Sequence, residues 1–294
     1  MNPRSLTYLA PLLLMACKQP APKCNVAHGP FWAKYTLVSG EGDCAMLTGE
    51  ELDVQSYYAQ RSAKDTRPDL DNVSMVIAPL SITSALANAA GIAEPEAGDI
   101  PYAQGRIVTT LAAADGFCRA PKFSLARLRL PAVPAHEVDM CTTAPAAPAY
   151  DVSYAFSNVR VYYTPAAIGT QFAADLTYTQ GDCEAKYRVS AVYPMVSCAA
   201  AIVHDGGGGD GGVAETPLLD AGLPDVAPVT DAASPDAGEA MAVDAGCPPP
   251  EPAPGPTVAD DALCEGAGIN PDYAVACDAV TQMCVLKKEP PSLK

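Results

Sequence analysis

Ten cysteines, Cys24, Cys44, Cys118, Cys141, Cys183, Cys198, Cys247, Cys264, Cys277 and Cys284, follow an eleventh at Cys17. No other residue type restricts the possible folds of this chain so strongly. An even set of cysteines in an oxidising compartment reads as a disulfide framework. The competing use is metal ligation, which needs close-spaced thiolate or imidazole pairs. The chain has no Cys-x-x-Cys, and His28, His136 and His204 lie far from one another, so neither a metal site nor a cofactor is expected. Ten cysteines allow about 945 pairings, and sequence proximity suggests two. Cys277 and Cys284 enclose Asp278 to Met283, where a strand-turn-strand would bring them together. Cys183 and Cys198 bracket one expected strand and a bend at Pro194.

The N-terminal residues indicate the compartment. After Arg4, Leu6 to Ala16 is an apolar run, too short for the roughly 30 Å hydrocarbon core of a bilayer, which takes about 20 apolar residues as a helix. It reads as a secretory signal. Leu14-Met15-Ala16-Cys17 resembles the lipobox of bacterial lipoproteins. That resemblance implies cleavage before Cys17, loss of residues 1–16, a diacylglyceryl thioether on Cys17 and acylation of the new N-terminus. Three acyl chains, at about 0.8 kcal/mol per buried methylene, make such an anchor effectively permanent. The lipid bilayer is therefore the first expected partner. Lys18, not Asp, follows the cysteine, which favours the outer over the inner membrane of a bacterial envelope.

Charge divides the rest of the chain. The net charge is −16, and residues 205–294 hold sixteen Asp and Glu against three Lys, leaving the first 204 residues close to balanced. Nucleic-acid binding, which needs a basic face, is excluded as a function class. Residues 204–262 read as a disordered acidic linker rich in Gly, Pro, Ala and Asp. It opens with Gly206 to Gly212, spaces Asp220, Asp225, Asp231, Asp236 and Asp244 through small residues, and closes with Cys247-Pro248-Pro249-Pro250-Glu251-Pro252. Gly209-Asp210 occurs once, and no loop alternates Asp before a Glu at the twelfth position, so specific calcium binding is not indicated. The linker separates a β-rich domain, residues 24–203, from a small Cys-containing module and tail, residues 263–294; residues 17–23 form the lipidated segment. A module this small must be disulfide-stapled, docked on the main domain, or both.

The main domain reads as mainly β-structure. Phe31, Ala33, Tyr35 and Leu37 alternate onto one face of a first strand, with further strands at Leu52 to Tyr58 and Val73 to Ala78. Leu80 to Ala90 is the one helix candidate, with Ile82, Leu86 and Ala90 on one face and Gly91 as its stop. Strands follow at Gly105 to Leu111, Phe123 to Leu130 and Val152 to Tyr163. The clearest unit is a hairpin of Thr170 to Tyr178 and Glu184 to Tyr193 about Gln180-Gly181-Asp182. Strands this closely spaced argue an antiparallel β-sandwich or small β-barrel.

The lipobox, Phe31 to Leu47 ending in Gly42-Asp43-Cys44-Ala45-Met46-Leu47, Ser153 to Cys198, and Gly268-Ile269-Asn270-Pro271-Asp272-Tyr273 to Cys284 together resemble uncharacterised envelope lipoproteins of myxobacteria. The resemblance implies a lipid-anchored protein with a Cys-rich β domain, and no activity. Lipocalins are the competing likeness, as eight-stranded barrels that carry apolar ligands. Their first strand usually begins Gly-x-Trp, whereas this chain has Gly29-Pro30-Phe31-Trp32. Trp32 is expected in the core or as a barrel plug.

No nucleophile elbow, phosphate loop, His-Glu-x-x-His or dinucleotide fingerprint occurs. Glu50 and Glu51 are adjacent and so point to opposite faces of a strand, which gives no catalytic carboxylate pair. The thirteen tyrosines are expected to serve half-buried faces and interfaces. No catalytic residue is identified, and the chain is not expected to be an enzyme. The expected function is binding or structural, with an envelope protein or glycan as partner; the alternative is a carrier of a small apolar ligand.

Overall fold

A computed structural model describes residues 23–139, 142–201 and 256–294. Its centre is one antiparallel sheet: β1 (Gly29–Gly40), β2 (Gly49–Ser62), β3 (Asp65–Pro79), β4 (Ala103–Ile107), β5 (Phe117–Lys122), β6 (Ala126–Leu130), β9 (Tyr150–Thr164), β10 (Ala167–Gln180) and β11 (Cys183–Val192). The small hairpin of β7 (His136–Asp139) and β8 (Thr142–Ala144) lies between β6 and β9 in sequence. The sheet order is β4-β3-β2-β1-β11-β10-β9-β5, with β6 also on β9. Of the two architectures left open by the sequence, the barrel is the one adopted. The sheet curls until β4 meets β5, where Gly105 bridges Phe123 and two backbone bonds, Val108 N to Arg119 O and Ser124 N to Gln104 O, are each 2.8 Å long. Any Cβ at position 105 would stand 2.5 Å from the Phe123 ring, so closure of the barrel requires glycine there.

Period-two alternation sends one face of every strand inward. Phe31, Ala33 and Tyr35 of β1, Leu52 and Val54 of β2, and Met75 and Ile77 of β3 are buried. Phe172, Leu176 and Tyr178 of β10 meet Tyr187 and Val189 of β11 in the same core. Rings interlock across it, with Phe31 and Phe172 centroids 5.4 Å apart and Tyr154 edge-on to Tyr178 at 5.0 Å. These side chains fill the barrel. Leu37 keeps its expected register, opposite Tyr187, yet it is exposed, at the point where β1 bulges between Leu37 and Ser39. Of the strand expected at Phe123 to Leu130 only Ala126 to Leu130 forms, as β6, and β5 before it was not expected; the two pair successively with the two halves of β9. At their junction β9 carries a bulge with Asn158 at φ 51°, a conformation that asparagine tolerates better than most residues. Trp32 is no plug; it lies on the outward face of β1, half-buried.

The two barrel ends are closed differently. Helix α1 (Leu80–Ala89) lies across one end with Ile82 fully buried in the core; Ala89, not Ala90, completes its inner face. At the other end the segment from Lys23 to His28 forms a strap. Cys24 N bonds Thr110 O, Ala27 N bonds Gly169 O, and Val26 is buried between them.

The C-terminal module is both stapled and docked. Its strands β12 (Ala199–Ala201) and β13 (Thr257–Ala259) pair, as do β14 (Val275–Cys277) and β15 (Cys284–Leu286). Residues 257–262, read above as the end of the linker, instead form β13 and lead into a 3-10 turn, Asp261–Cys264. Tyr273, Ile269 and Leu286 pack with Val192 and Ala167 of the barrel. Gln171 and Ala173, on the outward face of β10, are buried, and Gln171 accepts a bond from Ser292 N at 3.0 Å.

Among the described residues four disulfides join Cys24 to Cys118, Cys44 to Cys183, Cys198 to Cys277 and Cys264 to Cys284. Both pairings suggested by proximity are therefore wrong. Cys277 and Cys284 do stand opposite each other on β14 and β15, but each sulfur bonds a more distant partner. Cys183 and Cys198 cannot meet because β11, about 33 Å long for ten residues, holds them at opposite ends of the barrel. Cys17, Cys141, Cys247, His204 and the Gly-rich tract lie outside the described residues.

Candidate functional site

The helix end of the barrel carries a concave surface, a basin of about 980 Å³. One wall is α1 and its exit, through Ala85, Ala89 and Ile92; the opposite wall is Leu130, Val133 and the segment reaching Tyr150. The loop walls hold together through the paired backbone bonds of Val133 and Ala147, each 2.9 Å. Asp43, Asn88 and Gln180 stand at the edges as polar groups. The disulfide Cys44–Cys183 fixes the third side, tying the β1–β2 connection to the start of β11. Apolar walls with a few polar groups are the usual composition of a small-molecule or side-chain pocket.

Beneath the basin lies a polar network whose centre is Glu50. It is the inward member of the Glu50-Glu51 pair, on the same face of β2 as Leu52 and Val54. Its carboxylate accepts from Tyr35 OH at 2.9 Å and from Ser81 N at 3.0 Å. Ser81 lies in the first turn of α1, whose N-cap Pro79 supplies no side-chain acceptor. Glu50 therefore caps α1 from β2, satisfying a free N–H and placing negative charge at the positive end of the helix. Ser81 Oγ and Tyr154 OH are 2.8 Å apart, and Tyr150 OH, which also lines the basin, donates to Ser81 O at 3.3 Å.

Burial, and then the Glu50 charge, push the Tyr35 and Tyr154 phenols well above the ordinary tyrosine range. Burial, and then Tyr150 and Glu50, push Tyr178 up to about 12. These phenols keep their protons across the physiological range and act as hydrogen-bond donors, not as activated nucleophiles or bases. The basin thus offers an apolar surface over a network of satisfied polar groups. Arg127 pairs with Asp151 at 3.0 Å and Arg129 with Asp99 at 2.8 Å, with Glu96 also on Arg129, so the cations nearby are already matched.

Of the site residues named from sequence, eight cysteines form the four bonds above. Cys198, Cys264 and Cys284 bring their sulfurs within 4.8 Å of one another, and each is spent in a disulfide. His28 bonds the Ser56 hydroxyl, a structural contact beside the strap. The basin and the capping role of Glu50 were not read from the sequence. The signal for the second was present: a helix entered through Pro79 has no cap of its own and needs an acceptor from elsewhere.

The family model described as MlpA matches residues 29–194, the span from β1 through the end of β11. A Myxococcus xanthus protein named "Putative lipoprotein MlpA" is 28% identical over 196 residues, covering 64% of this chain and 74% of that protein. No solved structure matches.

Proposed function

The chain belongs to the MlpA family, and from that premise we propose a lipid-anchored protein of the bacterial envelope, held through Cys17, that binds an apolar group of an envelope protein or glycan in the rim basin. One observation carries the binding part of this reading: the barrel interior is filled by its own side chains, while the concave apolar surface lies outside it, at the helix end. A filled interior supports a rim binder over a carrier that holds its ligand inside the barrel. The neutral, mutually bonded tyrosines and matched cations support a non-catalytic role. The lipobox ending at Cys17 supports the anchor, the name of the Myxococcus xanthus relative agrees with it, and Lys18 supports the outer membrane.

Two measurements test this. Labelled fatty acid should enter the wild-type protein and not the Cys17→Ser variant, and that variant should leave the membrane fraction; equal labelling of both refutes the anchor. A photocrosslinking amino acid at Ile92 should give a discrete adduct in envelope preparations. The same probe at Val280, which is exposed on the module, serves as control. Equal yields at the two positions refute the basin as the binding surface.

A further inference from the structure

We infer that the ribbon formed by β2 and β3 beyond the barrel is a second membrane contact, resting on an anionic bilayer surface beside the acylated Cys17. The inference rests on the anchor proposed above. Strands β2 and β3 outlast their neighbours. Pairing with β1 stops at Val54 and pairing with β4 stops at Val73, yet β2 and β3 stay paired to Ser62 and Asp65. Residues Ala59 to Asp69 therefore project as a two-stranded ribbon past the strap end, paired at Ala59–Asp69, Gln60–Pro68 and Ser62–Asp65, for about 13 Å over the residues from Ala59 to Ser62. Such a ribbon is marginal in water without a surface to lie on. Pro68 sits within it opposite Gln60, a residue that only an unshared strand edge accommodates.

The anchor leaves the barrel at the same end. Lys23, the first described residue, bridges Leu111, and its Nζ is 2.5 Å from Asp71 at the base of the ribbon. The next residue is bonded covalently to the barrel through Cys24–Cys118. The strap can cross the barrel mouth because Gly169, at φ +64°, lies where a Cβ would come within 2.7 Å of Val26 Cα. Six residues from Cys17 to Lys23 reach at most about 20 Å. The bilayer surface thus lies within about 20 Å of Lys23, at the end from which the ribbon projects.

The ribbon's chemistry suits that surface. Tyr57, Tyr58 and Leu70 are exposed at its base, and tyrosine favours the membrane interface. Arg61, Lys64 and Arg67 are exposed at the tip. With Asp65 paired to Arg67 at 2.8 Å, residues 61–67 carry three bases against one acid in a chain of net charge −16. Asp69 stands behind the tip, and Asp71 is matched by Lys23. The opposite end bears Glu41, Asp43, Glu94, Asp182 and Glu184 in its connections or beside them, so an anionic bilayer attracts one end and repels the other. The basin then faces away from the membrane, open to a partner.

The test uses the full chain with Cys17→Ser, which removes the acyl chains and leaves the ribbon. This protein should sediment with vesicles rich in phosphatidylglycerol, weakly and salt-sensitively, and not with phosphatidylcholine alone. Adding Arg61→Glu and Lys64→Glu should lower that partition by roughly tenfold or more, from the loss of two bases at an anionic surface. Arg61→Lys should keep it. Both positions are exposed, and an unchanged thermal midpoint verifies folding. Equal partition of the charge-reversed and parent proteins overturns the inference, as does capture of an envelope protein by the ribbon with no vesicle binding. Fatty-acid labelling of Cys17 reports on the anchor alone, so failure of the anchor and failure of the ribbon are separate results.

Discussion

The barrel and the C-terminal module solve the same problem with different means. The barrel has a closed ladder and a core that joins inward residues from all nine of its strands; its disulfides Cys24–Cys118 and Cys44–Cys183 pin a strap and a loop to structure that already has a core. The module has two strand pairs of three residues each. Its apolar cluster is small and shared with the barrel surface, and two disulfides pack side by side within it. Burial defines the first region and covalent staples define the second, as expected when a segment is too short to bury much area by itself. The module in turn covers Ala167 and Val192, which would otherwise leave an apolar strip on the outside of the barrel.

The comparison breaks if the two regions respond alike. The largest expected effect is Phe172→Ala, which leaves a cavity at a fully buried ring and should cost about 3–5 kcal/mol in urea unfolding. The module should be lost with it, because its platform is β10. The converse change is Cys264→Ser with Cys284→Ser. It opens a staple with a sequence separation of 20, worth about 3 kcal/mol in the loop-entropy estimate. Proteolysis should then trim the module while the barrel keeps its urea midpoint. An equal fall in the barrel midpoint would show that the two regions unfold as one.

Alkali should act on the barrel through its buried phenols. Tyr178 is pushed up to about 12, and Tyr35 and Tyr154 are raised further by burial and the Glu50 charge. An unfolded tyrosine ionises near 10, so above that pH the unfolded state has fewer protons than the folded one. Stability is therefore full below pH 10 and falls as pH rises toward the folded values. Phenolate absorbance should lag behind that of free tyrosine and then rise steeply with unfolding. A smooth titration centred near 10, with the fold intact, would refute the buried network.

The sequence shows the barrel better than the module for the same physical reason. Alternation is local, so the inward sets Phe172 to Tyr178 and Ala185 to Ala191, with the turn at Gly181-Asp182, were readable and match the structure. Disulfide partners are set by tertiary proximity, and neither suggested pairing survived, although the register of Cys277 against Cys284 did. The ends of β2 and β3 were also underestimated, since Arg61 to Arg67 are polar on both faces and give no period to read. The basin was illegible because its walls come from α1, the β6–β7 connection and the approach to β9, none of which marks a concave surface by itself. Glu50 shows the limit most clearly. Its strand face followed from alternation, whereas its use as a cap for α1 required knowing that Ser81 packs beside it.

Acid should give the smallest effect, and at the contact between the two regions. Asp278 of the module is partly desolvated, which raises its pKa, but the Lys34 ammonium at 2.8 Å and the N–H groups of Thr281 and Val280 outweigh burial and leave it lowered. A depressed carboxylate contributes stability that is present above the unfolded value near 3.9 and disappears as pH falls through the folded one. Lys34 is two-fifths exposed, so solvent screening limits the pair to below about 1 kcal/mol. Lys34→Ala should therefore leave the barrel midpoint unchanged and modestly raise amide exchange in β14 and β15 at neutral pH. Once the pH has fallen through the folded value the variant and the parent should exchange alike, because Asp278 is then protonated in both. A difference that persisted in acid would mean that Lys34 holds the module by packing its aliphatic stem and not by its charge.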